Sequence, residues 1–274
     1  MNVTLSGRLI LVGAGKMGGA LLEGWLREGV AASRIVVVDP SPPPEVRATI
    51  ARAAVALNPP LQGMGDVQVL VLAVKPQIME AALAELKPSD RAKPLIVSVA
   101  AGRTIKSFER HFGEDAAVIR TIPNLPAAIG RGITALVANR NVTPAQKSLA
   151  MALLSAVGDV VALDDERLID AATAVSGSGP AYVFHLTECM TEAGRKLGLP
   201  PDVAEKLARS TVAGAGELMR ASGLPAATLR ENVTSQKGTT HAALEILMAD
   251  GAGMKTLFEQ ALAAAERRSR ELAS

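Results

Sequence analysis

The strongest constraint on the fold lies near the start of the chain. Arg8-Leu-Ile-Leu-Val12 is an apolar run of strand length, and Gly13-Ala-Gly15-Lys-Met-Gly18 follows at once. Met17, Leu21, Leu22, Trp25 and Leu26 then recur at helical spacing until Gly29. A second apolar run, Ile35-Val-Val-Val38, closes on Asp39, 21 residues after the third glycine. Strand, G-x-G-x-x-G, helix, strand and acid, in that order, predict a dinucleotide-binding βαβ unit. Gly13 permits the tight turn, Gly15 lets the backbone approach a pyrophosphate, and Gly18 lets the helix pack closely on the strand. The expected cofactor contacts are therefore Gly13, Ala14, Gly15, Lys16, Met17 and Gly18, with the helix N-terminus facing the phosphates. A glycine turn with no ligand is the competing reading.

Asp39 bears on the choice of cofactor. A carboxylate at the end of the second strand accepts hydrogen bonds from ribose hydroxyls and repels a 2′-phosphate. Pro40-Ser-Pro-Pro-Pro44 brings no cation near it, and Arg47 is the first. This leans toward NADH, while Ser41 and more distant basic residues leave NADPH open.

The alternation continues. Strands are expected at Val67–Val74, Leu95–Val99, Val118–Ile122, Thr134–Ala138 and Asp159–Leu163. Helices are expected at Gln77–Leu86, at Thr104–Phe112 and from a capping box, Thr143-Pro-Ala-Gln146, to about Val157. The strands run into Lys75-Pro76, Ala100-Ala-Gly102 and Pro123-Asn-Leu-Pro126, small or turn-forming residues at the edge where a doubly wound sheet holds its ligand. Lys75 is there either a cofactor contact or a solvated loop residue. After Leu163 only helical patterns follow. The expected plan is α/β: an N-terminal Rossmann-type domain, residues 1–163, with a doubly wound, mostly parallel sheet, then an all-α domain, residues 164–274.

Composition narrows the function classes. Net charge is +2 with both signs interspersed, so no nucleic-acid stripe is indicated. One Trp, one Tyr and four Phe provide no base-stacking platform, and a core must come from Ala, Val, Leu, Ile and Met. Cys189 is the single cysteine, and three scattered His give no metal motif, so no metal site is expected. No apolar run reaches the ~18 residues of a membrane span, and the first residues lack a secretory pattern, so a cytoplasmic protein is expected.

In the second half, the expected helices run from Asp164 to a break at Ser176-Gly-Ser-Gly-Pro180, from Pro180 to Leu197, from Pro201 to about Ala221, and from Met254 to Ala273. Ala- and Gly-rich faces around Val212–Gly216 and Ala261–Ala265 predict close helix contacts and pairing with a second copy. Between Leu229 and His241 a helix ends, a hydroxyl-rich loop with Gly238 follows, and a new helix begins. Open backbone N–H groups at that helix start suit a carboxylate or phosphate, and an ordinary N-cap is the alternative. His185 and Cys189 lie one turn apart, either a reactive pair or a helix face that is partly buried. His241 is a candidate acid without an identifiable partner, and Glu166 is at least a first-turn helix carboxylate.

Taken together, Gly13–Gly18, Ala73-Val-Lys-Pro76, Ser98–Gly102, Pro123-Asn124, Ser176-Gly-Ser-Gly-Pro-Ala-Tyr182 and Val233-Thr-Ser-Gln-Lys-Gly-Thr-Thr240 resemble the pyrroline-5-carboxylate reductase family over nearly the whole chain. The resemblance implies reduction of the cyclic imine L-1-pyrroline-5-carboxylate to L-proline by NADPH or NADH. It also implies helical domains that interlock as homodimers and often assemble further. It implies that Ser235, Gly238, Thr239 and Thr240 hold the substrate carboxylate, with Thr240 and Glu166 at the reacting imine. Ala73, Val74, Lys75, Pro76, Ala100, Asn124 and Asn232 match cofactor-contacting positions. There are departures from the family pattern. Ser-Pro-Gly-Gly is Ser235-Gln-Lys-Gly238, Asn-Thr-Pro is Asn124-Leu-Pro126, and no asparagine matches after the third strand near Leu61.

The residues agree with this chemistry. A protonated imine is already electrophilic, so hydride addition needs orientation and support of the cation more than a strong acid. Two other readings fit the same plan. A 2-hydroxyacid-type or other imine-reducing dehydrogenase needs a catalytic lysine, for which Lys196 and Lys206 are the nearest candidates. A non-catalytic nucleotide sensor is favoured only by the altered Gln236-Lys237 loop.

Overall fold

The structure, a computed structural model, describes residues 4–60, 66–85 and 93–273. The chain opens with β1 (Arg8–Val12), α1 (Lys16–Arg27), β2 (Ile35–Val38), α2 (Pro44–Arg52), β3 (Ala56–Leu57), β4 (Val67–Leu72) and α3 (Pro76–Glu85). It continues with β5 (Leu95–Ser98), α4 (Ile105–Phe112), β6 (Val118–Ile122), β7 (Gly132–Ala138), α5 (Pro144–Leu154) and β8 (Gly158–Leu163). The strands form one sheet in the order β3-β2-β1-β4-β5-β6-β7-β8. Every pairing is parallel except β6 with β7, so β7 and β8 run against the other strands.

The apolar runs are continuous because the central strands are buried on both faces. Leu9, Leu11, Val69, Val71, Leu95 and Val97 join the cluster that includes α1 and α5. Their neighbours Ile10, Leu70, Leu72, Ile96 and Val118 face the cluster that includes α3 and α4. Trp25, fully buried in α1, donates its indole N–H to the Leu153 carbonyl at 2.9 Å, so the large side chain brings no unmet polar atom into the core. Helix α5 starts with the expected capping box, Thr143 and Gln146 exchanging bonds.

Register places Val38, Val12, Leu72, Ser98, Arg120, Val137 and Leu163 in one row across the sheet. In β1, β2, β4 and β5 these are the last strand residues, so the row marks the edge from which the ligand-binding loops emerge.

Two elements escape the sequence reading. Helix α2 starts inside a run of prolines, with Pro44 in its first turn where a missing N–H costs nothing. Strand β3 has two residues, too few for a periodic signal.

The chain forms two compact units that divide at Gly177/Ser178, beyond the end of β8. The first comprises Met1–Gly177 with Glu266–Ser274, the second Ser178–Ala265. The reason is packing: α6 (Leu168–Ala172) puts Ile169, fully buried, into the sheet's own cluster. The expected break at Ser176 is a π-helical turn, Thr173–Gly177, in which Thr173 and Ser176 bond back to the carbonyls of Ile169 and Ala172.

The second unit contains α7 (Gly179–Lys196), α8 (Pro201–Ser222), α9 (Ala226–Asn232), α10 (Thr239–Leu247) and the first part of α11 (Met254–Ala273). Small residues bring α7 and α8 together, with Gly194 beside Ala204. Of α7 and α8, only Ala204 and Ala208 are buried, while Phe184, Leu207 and Leu218 stay more than half exposed. Apolar faces of this extent mark an interaction surface.

Candidate active site

The glycine loop extends the sheet ladders by one residue on each side. Gly13 N–H donates to the Val38 carbonyl at 2.8 Å, and Ala73 N–H donates to the Val12 carbonyl at 2.7 Å. Gly13 has φ +88°, and a Cβ there would sit 2.7 Å from Val74 Cγ1. A Cβ on Gly18 would lie 2.1 Å from the Gly13 oxygen, whereas one on Gly15 would meet nothing within 4 Å. Two glycines are thus closed in by packing and the middle one borders open space. Gly15 is also the N-cap of α1 and supplies no side-chain cap, leaving the first-turn N–H groups of Lys16, Met17 and Gly18 without helical partners. An uncapped helix start beside an open glycine is the form of a phosphate site.

Asp39 is built into this loop. Its Oδ2 accepts from Ala14 N–H at 2.7 Å and its Oδ1 from Ser41 N–H at 2.8 Å. Ala14, expected at the cofactor through its backbone, therefore spends its N–H on Asp39. Asn58 clasps the Asp39 backbone from the neighbouring strand end: its Oδ1 accepts from Asp39 N–H, and its Nδ2 donates to the Asp39 carbonyl, both at 2.8 Å. Asn58, with φ +48°, directly follows β3. Leu61, near which no matching asparagine was found in the sequence, lies outside the described residues. The signal available for Asn58 was the short apolar Val55-Ala-Leu57 before it.

Further along the same edge, Ala73 and Val74 are half-buried, Lys75 is exposed and Pro76 opens α3. Ala100 is buried, its N–H donating to Ser98 Oγ. Asn124 braces the β6–β7 corner, donating to the Ser176 carbonyl at 3.1 Å and accepting from Ile133 N–H at 2.9 Å. Its Oδ1 and one N–H are accordingly committed to the fold.

Glu166 has partners within its own unit. Oε1 accepts from Arg120 Nη1 at 2.8 Å and from the Ile105 N–H at 2.9 Å. The guanidinium is almost wholly buried and the carboxylate about two-thirds buried. The resemblance implied a carboxylate near the ring nitrogen at Glu166. In the structure a buried arginine balances its charge and the N–H at the start of α4 donates to the same oxygen. The adjacent Asp165 accepts from the Arg167 side chain and backbone, which holds its carboxyl below the ordinary range.

In the second unit, the Gly238 N–H closes a turn on the Ser235 carbonyl at 3.0 Å, with Lys237 at φ +57°. Proline and glycine suit the two central positions of such a turn. Gln236 and Lys237 keep it closed, at a backbone cost of about 1–2 kcal/mol for the left-handed lysine. Upstream, Thr234 Oγ1 donates to the Arg230 carbonyl at 2.6 Å, fixing the run into the turn. Gly238 is the N-cap of α10 and has no side-chain cap. The N–H groups of Thr239, Thr240 and His241 therefore open the helix without helical partners, since Ala242 N–H is the first to bond back, to Gly238. Thr240 is half-buried, whereas Ser235, Thr239 and Asn232, the last residue of α9, are exposed. His241 Nδ1 lies 3.8 Å from Glu245 on its own helix. His185 lies 3.0 Å from Glu188 and 3.6 Å from Cys189 Sγ, all three exposed in this chain. Among the described residues no cluster of His, Cys, Asp and Glu could hold a metal ion, and no helix is long and apolar enough to cross a membrane.

Comparison with known proteins bears on both units. Residues 166–272 match a family profile described as pyrroline-5-carboxylate reductase dimerisation, and residues 8–102 match NADP oxidoreductase coenzyme F420-dependent. The chain is 44% identical to the pyrroline-5-carboxylate reductase of Pseudomonas aeruginosa over 97% of both chains. The chain belongs to the pyrroline-5-carboxylate reductase family. The Synechocystis member is 38% identical over 98% of this chain and 99% of its own. Among solved structures, the Coxiella burnetii pyrroline-5-carboxylate reductase superposes with a TM-score of 0.90 at 33% identity, covering 98% of this chain and 100% of that one. The Plasmodium falciparum pyrroline carboxylate reductase, solved with NADP bound, gives 0.79 at 26% identity over 98% and 99% of the two chains.

Proposed function

We propose that this chain transfers a hydride from NADPH or NADH to the C=N bond of L-1-pyrroline-5-carboxylate, giving L-proline, the last step of proline biosynthesis. The observation that carries this, given the family, is the start of α10: an uncapped helix N-terminus behind a closed turn, the form that takes a carboxylate. The cofactor also fits the residues present, because Gly15 leaves open space at the uncapped start of α1. The first-turn N–H groups of Lys16, Met17 and Gly18 hold the pyrophosphate, and Asp39 accepts from the ribose hydroxyls. Ala73–Pro76, Ala100 and Asn232 complete the contacts. When bound, the reduced nicotinamide supplies the hydride. The chain's own work is orientation: Thr239 and Thr240 hold the carboxylate through backbone N–H groups, with Gly238 and Ser235 beside them, and the Thr240 hydroxyl meets the imine nitrogen. Asp39 favours NADH over NADPH. The exposed apolar faces of α7 and α8 support a homodimer through the helical unit. The test is to mix purified protein, reduced cofactor and the imine, and follow loss of cofactor absorbance with NADPH and NADH in parallel. Oxidation with a keto acid and none with this imine would overturn the reading.

A further inference from the structure

Arg120 stands in the last row of the sheet, between Ser98 and Val137, with its guanidinium almost wholly buried. Its Nε has no hydrogen-bond partner, so the charge depends on what Nη1 reaches, and that is Glu166 Oε1. The same oxygen accepts from Ile105 N–H, the first residue of α4, directly after the loop Ala100–Thr104. One carboxylate oxygen thus ties β6, the start of α4 and the segment after β8 to one point. The loop is held from a second side as well. Gly102 lies against the Leu272 backbone, where a Cβ would come 2.9 Å from the carbonyl oxygen, and Ser269 Oγ donates to the buried Asp170 at 2.6 Å.

We propose that Glu166 is a positioning residue: through Arg120 and the Ile105 N–H it fixes the Ala100–Thr104 loop and so sets affinity for the nicotinamide cofactor. This rests on the reading that the strand-end loops hold that cofactor. A charge neutralised by a buried guanidinium gives little support to an iminium, and an oxygen shared by two donors serves geometry.

The experiment measures KM for each substrate and a direct fluorescence titration with the reduced cofactor, for wild type, Glu166→Gln, Glu166→Leu and the double variant Arg120→Met/Glu166→Leu. The double variant leaves no buried unpaired charge, so it reports even if Glu166→Leu fails to fold. Loss of both bonds raises the cofactor KM and Kd about tenfold or more, while the imine KM stays within about twofold. Glu166→Gln, which keeps an acceptor for both donors, returns the cofactor values to within about threefold of wild type. A raised imine KM with unchanged cofactor Kd would place the carboxylate at the substrate and overturn the proposal. Unchanged cofactor Kd and KM in the folded Leu variants would overturn it too. Failure of the wild type to oxidise cofactor with the imine would instead count against the proposed reaction, and the titration would still decide the positioning role.

Discussion

The three glycines of the first loop make a test in which folding and binding separate. At Gly18 a methyl group would sit 2.1 Å from the Gly13 oxygen, well over 1 Å inside contact, and both atoms belong to rigid backbone. Relief requires α1 to lift from β1, loosening Leu21, Leu22 and Trp25, all essentially inaccessible. Gly18→Ala should therefore cost at least about 3 kcal/mol, the upper range for forced overpacking. At about 2–4 °C per kcal/mol, that lowers the melting temperature by roughly 6–12 °C. At Gly15 a methyl group meets nothing, and φ −67° suits alanine. Gly15→Ala should leave stability unchanged or raise it by about 0.4–1 kcal/mol, through the lower entropy of the unfolded chain. Yet the methyl occupies the path of a phosphate, so the Kd for reduced cofactor should rise about 30-fold, close to 2 kcal/mol. Thermal melts without ligand and fluorescence titration with NADPH and NADH give both quantities. A stable Gly15→Ala protein that binds cofactor within threefold of wild type would refute the argument, because the phosphates would then not pass over Gly15.

Lys237→Gly removes the strain of a left-handed lysine, about 1–2 kcal/mol, against ~0.5–1 kcal/mol of added backbone entropy, so a melt should show a gain of a degree or two. A lower melting temperature would mean that the lysine side chain contributes more than its backbone costs. Thr240→Ala should raise the imine KM by about tenfold with little change in cofactor KM, and an equal imine KM in steady-state assays would remove Thr240 from the substrate site. Asp39→Ser should raise the NADPH/NADH ratio of kcat/KM by about tenfold, since the repelling carboxylate is gone. It should also weaken the loop, which loses the charged acceptor of Ala14 and Ser41. A flat cofactor ratio would show that the phosphate is read elsewhere.

Much of the sheet was legible because its signals are local. The run Arg8–Val12, the three glycines and the run Ile35–Val38 carry their spacing in the sequence, and Thr143 with Gln146 is a cap written in four residues. Strand direction was not legible, since an apolar run reads alike whichever way it enters the sheet. The reversal at β7 therefore appears only in the pairing of Arg120 with Val137. The partners of Glu166 and Ala14 were hidden for a different reason. They lie 46 and 25 residues away, and no local pattern names them. Asn58 was missed because the strand before it is two residues long and draws its stability from β2. The extent of the first compact unit was not legible either, because the alternation ends at β8 while the burial continues to Ala174.

Helix α11 begins in one unit and ends in the other, residues up to 265 belonging to the second and those from 266 to the first. A ribosome makes the chain from the other end, and domains generally fold in the order in which they emerge. Here the sheet can assemble early, but the piece that lies against Gly102 is translated after all of α7 to α10. The nucleotide-binding half is thus completed last, by residues that leave the ribosome once the helical half is already free to fold and find its partner.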